Sequence, residues 1–155
     1  MRIRHLLLRA VIAAALAISA TATAADYEAG QIWSAKGREK DPDPQVLILR
    51  VEPKTPVGEV VFVAAGGVKL CLPDGKCGDL FSPLAMTKAA LDRSVKEHVG
   101  RVDPASSFQQ RAQFQFERGY QSWKDGVAKG EPVTVTVSLA EALDQIEGGS
   151  KIQVK

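Results

Sequence analysis

Histidine is nearly missing from this chain. Of 155 residues only His5 and His98 are histidine, so a histidine-rich metal site is excluded by count. His5 falls in the expected signal peptide, so any hydrolytic triad or imidazole ligand of the mature chain would have to use His98, which lies beside Lys96 and Glu97 without a ligand-spaced partner. The sequence predicts His98 as a solvated histidine late in a helix, where a cation suits the dipole. Cysteine is equally sparse. Cys71 and Cys77 are the only two, and the five residues between them do not fit a redox pair, which holds its cysteines two residues apart. A cysteine nucleophile needs a free thiolate with a positioned base, which argues against a thiol enzyme. Aromatic residues make up 6% of the chain, so the few large rings are expected to carry much of the core packing. No basic stripe with interleaved aromatics is present, which speaks against nucleic acid as a ligand, and no strongly amphipathic basic helix points to a membrane surface.

What is present begins with an export pattern. Arg2, Arg4 and Arg9 precede an uncharged apolar run from Val11 to Ala20, and Ala22-Thr23-Ala24 supplies the small residues a signal peptidase accepts. The expectation is a signal peptide over 1–24, cleaved after Ala24, followed by one domain over 25–155. The apolar run is shorter than the ~20 residues of a membrane-spanning helix, and no cysteine follows it to carry a lipid. Three of the 20 lysines and arginines lie in 1–24, which leaves 17 against 18 acidic residues and a near-neutral remainder. A periplasmic or secreted location follows, with no integral membrane span after cleavage. In an oxidising compartment Cys71 and Cys77 are expected to form a disulfide.

Strands come first and helices afterwards. Residues 30–36 (GQIWSAK), 45–52 (QVLILRVE) and 58–65 (GEVVFVAA) read as strands, with a loop over 37–44 and a short proline-bearing connection over 53–56. Val68 to Leu72 is expected to extend the sheet. Pro83 to Val99 and Phe108 to Lys129 show helical spacing; on the second, Phe116, Tyr120, Trp123 and Val127 fall on one face closed by Gly130. Glu131 to Val137 alternates as a strand. Ser138 with Glu141 forms a capping box for a helix to Glu147, and 151–155 is expected to pair at an edge or stay loose. The fold class is α+β: an antiparallel sheet of four or five strands with about three helices packed mainly on one face.

The string Gly30-Gln31-Ile32-Trp33-Ser34, Val51-Glu52, Gly58-Glu59-Val60-Val61, Gly67-Val68-Lys69, Phe81-Ser82, Ala90-Leu91-Asp92-Arg93-Ser94-Val95 and Gly119-Tyr120-Gln121-Ser122-Trp123 resembles a group of small uncharacterised bacterial proteins. That resemblance implies no activity, cofactor or catalytic residue. The signal and the cysteine pair mark this chain as an exported, disulfide-bearing branch.

The loop Cys71-Leu72-Pro73-Asp74-Gly75-Lys76-Cys77 carries the sharpest functional expectation. Proline fixes φ, aspartate bonds its own backbone and glycine permits φ > 0, so the turn brings the cysteines together. It is either a staple on a sheet edge or a preorganised protrusion offering Leu72, Asp74 and Lys76 to a partner. Trp33 is a further candidate if it opens onto a concave sheet face; Trp123, with Phe116 and Tyr120, is expected in the core. Glu39, Asp41 and Asp43 read as a solvated acidic loop rather than a cation site. No metal, cofactor or catalytic residue is assigned. The leading reading is a non-enzymatic binding or inhibitory module for a periplasmic protein or cell-envelope component. The alternatives are a hydrolase-type enzyme using carboxylates, for which two carboxylates with raised pKa values should converge, and a purely structural envelope protein. Oligomeric state is left open.

Overall fold

The computed structural model describes residues 25–79, 83–131 and 133–155. The expected signal peptide 1–24, the Phe81-Ser82 pair and Pro132 lie outside the described residues. A five-stranded antiparallel sheet is built from β1 (Gln31–Ala35), β2 (Gln45–Thr55), β3 (Gly58–Gly66), β6 (Leu84–Thr87) and β7 (Val95–Arg101), in the order β6-β3-β2-β1-β7. A separate two-stranded sheet pairs β4 (Lys69–Cys71) with β5 (Cys77–Asp79). Among the described residues three helices complete the α+β fold: α1 (Lys88–Ser94), α2 (Ser107–Ala128) and α3 (Leu139–Glu147).

The apolar runs of β2 and β3 have side chains on both faces, and both faces are covered. Val46, Ile48, Val61, Val63 and Ala65 pack beneath Ala90 and Leu91 of α1 and Leu139, Ala142 and Leu143 of α3. Leu47, Leu49, Val60, Phe62 and Ala64 pack beneath Ala112 and Phe116 of α2. Side chains alternate across a strand, so a strand with helices on both sides must be apolar at consecutive positions. Two helices thus share one face, and the longest takes the other.

Ser138 caps α3 with its side chain accepting from the Glu141 N–H, while Glu141 bonds back to the Ser138 N–H, completing the expected box. The helix α2 follows the expected bounds closely, capped by Ser106.

Four expectations are corrected. The span 83–99 is not one helix. Leu84–Thr87 pairs with β3 (Val61↔Met86, Val63↔Leu84), Thr87 caps a seven-residue α1, and Val95 leaves it to pair with β1. Strand pairing here outweighs helical spacing, because it buries Met86 completely between β3 and the 133–137 segment. His98 therefore stands in β7, exposed and opposite Trp33, not at a helix end. The segment 68–72 does not extend the main sheet: Gly67 at φ 72° turns the chain away, and Lys69–Cys71 pairs only with β5. The expected strand over 131–137 is not regular across its described part, 131 and 133–137. Val135 makes single bridges to Met86 and Val154, so the segment lies between β6 and the tail, and the tail does pair there through Thr134 and Lys155.

Candidate functional site

The disulfide hairpin is built from its turn outward. The Gly75 N–H donates to the Leu72 carbonyl at 2.9 Å and the Leu72 N–H to the Lys76 carbonyl at 2.8 Å, with Gly75 at φ 83°. That is a three-residue loop with a glycine bulge, the form that Pro73-Asp74-Gly75 favours. Asp74 braces it, accepting from the Lys76 N–H at 3.1 Å and pairing with the Lys76 ammonium at 2.9 Å. These two bonds hold the Asp74 carboxyl below its ordinary range. One pair further along, Cys71 and Cys77 face each other across the two strands and are joined by the disulfide. Every residue from Leu72 to Asp79 is exposed. One side of the hairpin is hollow, about 260 Å³, between Leu70, Leu72, Lys76, Cys77, Gly78 and Asp79.

The hairpin's base is fixed by an ionic cluster. Asp41 accepts from the Lys69 N–H at 3.0 Å and from Arg38 Nε at 3.0 Å; Glu147 accepts from the Cys71 N–H at 2.7 Å, from Arg38 Nη1 at 2.7 Å and from Lys40. Asp144 adds a 3.3 Å contact to Arg38. Burial pushes the Asp41 carboxyl up, but the Lys69 N–H and Arg38 outweigh it and hold it low. The Lys40 ammonium and then the Cys71 N–H hold Glu147 at about 2. Arg38 is kept charged against the cost of burial by Asp41, Asp144 and Glu147. Asp41 is 5% exposed, so the expected solvated acidic loop is corrected at this position, while Glu39 and Asp43 are exposed. Sequence reasoning missed Arg38 and Glu147. One signal was available: α3 carries Asp144 and Glu147 in its last turn with no basic residue there, an unfavourable arrangement against the helix dipole that calls for cations from elsewhere.

Trp33 is placed in a different cluster. Its ring packs edge-on to Tyr27 and beside His98, each at 5.3 Å between centroids, and its indole N–H donates to Gln31 Oε1 at 2.9 Å. Burial and the Asp92 carboxylate, which accepts the Tyr27 hydroxyl at 2.7 Å, push the Tyr27 pKa well up.

A groove opens instead between α2 and the sheet. Phe62, Pro83, Ala85, Gln115, Phe116, Gly119, Tyr120, Ser122, Trp123 and Val133 line a cavity of about 280 Å³. Phe62 meets Phe116, Tyr120 and Trp123 edge to face at 4.8–5.5 Å. Tyr120 hydrogen-bonds Glu52 through its hydroxyl and carries the Arg50 guanidinium 4.7 Å from its ring centre. The Tyr120 bond is the chief cause holding Glu52 low, and Glu52 in turn raises the Tyr120 pKa. Trp123 is half-buried and donates to Thr134 at 3.2 Å. It therefore joins the core, as expected, and also faces the groove.

Asp41, Glu52, Asp74, Glu141 and Glu147 are all shifted downward, the opposite direction from a poised general acid. Among the described residues no three His, Cys, Asp or Glu side chains converge as metal ligands, and no helix is long and apolar enough to cross a membrane. Comparison of the chain with known family models, with curated proteins and with solved structures finds no match.

Proposed function

We propose that this protein is an exported binding module, an exported branch of the bacterial group it resembles, that engages a periplasmic protein or cell-envelope component through the hairpin Lys69–Asp79. The observation that carries this reading is that the hairpin is stiffened along its whole length while its tip buries nothing in the core. A staple serving stability alone would be expected to hold apolar side chains against the sheet. Here a disulfide, a glycine-bulge turn and an Asp74 brace order eight consecutive exposed residues. Ordering a surface before contact lowers the entropy lost on binding. Leu72, 41% exposed, and Lys76 border the same hollow, which supplies an apolar contact beside a cation.

Leu72 and Lys76 are the side chains assigned to contact, and Asp74 acts mainly by holding the turn. The test compares capture from envelope extract by the oxidised protein and by its Leu72→Ser/Lys76→Glu variant, with the melting temperature of each measured. A partner retained by the parent and lost by an equally stable variant supports the reading. Equal capture by both removes the hairpin as the contact surface.

A further inference from the structure

The two glycines inside α2 pose a contrast that the hairpin does not explain. At Gly126 a Cβ would lie 2.9 Å from Cγ1 of Val133, so close packing of the helix on its neighbour requires glycine. At Gly119 a Cβ would meet none of the described residues within 4 Å, and the backbone there is not in the left-handed region. Glycine weakens a helix interior, and no contact within the described residues requires it at this position. Gly119 lines the aromatic groove, and its bare backbone leaves space open on the groove side of α2.

We infer that this groove is a binding site for one small uncharged ring compound of the phenol type, seated against Gly119 between the aromatic side chains of α2 and the sheet. Three observations set the ligand's chemistry. None of the ten lining residues carries a charge, so the lining itself offers a charged ligand no counter-charge for the hydration it would lose. The walls contributed by Phe62, Phe116, Tyr120 and Trp123 offer ring edges and faces, which favour a planar ring in an offset or edge-on arrangement. The volume of about 280 Å³ lies at the small end of ligand sites, so it accepts one ring rather than an extended chain. Gln115 and Ser122 stand at the exposed margin on the same side of α2 as Gly119, and neither side chain makes a hydrogen bond among the described residues. Gln115 brings both a donor and an acceptor and Ser122 a hydroxyl, enough to hold a single ligand hydroxyl. The groove shares no residue with the hairpin, so this site stands or falls independently of the proposed function.

The test is an NMR titration of the ¹⁵N-labelled full-length protein with phenol and, separately, with N-acetylglucosamine. Phenol should give saturable shifts of the Trp123 indole N–H and of the Gly119 and Ser122 amides, with the Trp33 indole N–H unmoved. Gly119→Leu, which fills the open space, should weaken phenol binding roughly tenfold or more. Gly119→Ala should melt no lower than the parent, which establishes that the glycine does not serve packing. The inference is overturned by the absence of saturable shifts with phenol, by equal affinity in Gly119→Leu, by saturation with the sugar and not with phenol, or by a lower melting temperature in Gly119→Ala.

Discussion

The backbone N–H of Cys71 donates to Oε1 of Glu147 at 2.7 Å, so a carboxylate at the end of α3 holds the base of the disulfide hairpin. The same carboxylate receives Arg38 and Lys40, joining three segments distant in sequence: the 38–41 turn, β4 and α3.

Acid should release that joint. Glu147 is held at about 2 against an ordinary 4.5, so its contribution to stability is complete above the ordinary value and is lost as pH falls from about 4.5 towards 2. Glu147→Gln should lower stability at pH 7 by about 1–3 kcal/mol, because buried Arg38 loses a charge-assisted partner. The variant should also lose less stability than the parent across that acidic window. Urea denaturation at pH 7, 4.5 and 3 checks both.

Removing the disulfide should have a limited effect. The Cys71→Ser/Cys77→Ser variant is expected to lose about 2 kcal/mol at most, since the closed loop is short and the turn hydrogen bonds bring its ends together without the bond. Hydrogen exchange should accelerate at Leu72 and Gly75, whose N–H groups make the turn bonds, and stay unchanged in β2 and β3. Faster exchange throughout the five-stranded sheet would assign the disulfide to the core instead.

Ser94 joins α1 to α3 inside the core. It is 1% exposed, donates to the Ala90 carbonyl at 2.7 Å and accepts the Leu139 N–H at 2.8 Å. Ser94→Ala removes the acceptor for an N–H in the first turn of α3, which the helix cannot satisfy internally. A loss of about 1–3 kcal/mol in chemical denaturation is expected.

The α2 glycines should respond with opposite signs. Gly126→Ala drives a Cβ against Val133 and should destabilise by about 1–3 kcal/mol. Gly119→Ala, where the new Cβ meets none of the described residues within 4 Å, should stabilise by about 0.5–1 kcal/mol through helix propensity. Thermal melts of the two variants against the parent decide it.

Much of this molecule was legible from residue order because the deciding forces were local. The capping box of Ser138 and Glu141, the run from Phe116 through Tyr120 to Trp123, and the Pro73-Asp74-Gly75 turn each depend on neighbours within a few positions, and each forms where the spacing predicts. The sheet's central strands were equally plain, since burial on both faces demands unbroken apolar runs like those of β2 and β3.

Long-range pairing decided the rest. Leu84 to Thr87 has an ambiguous local pattern, and β3 settles it by offering a strand edge that buries Met86. Arg38 and Asp41 look like solvated charges until α3 delivers Glu147 and β4 delivers the Lys69 amide. The groove exists because α2 lies across Phe62, and Gly119 lines it only in that arrangement. Sequence by itself determined the turns, the caps and the apolar strands, whose energetics are set within a few residues. Tertiary structure alone decided the partners of the buried charges, the fate of 83–99 and the groove, because each depends on surfaces that meet only when distant segments pack.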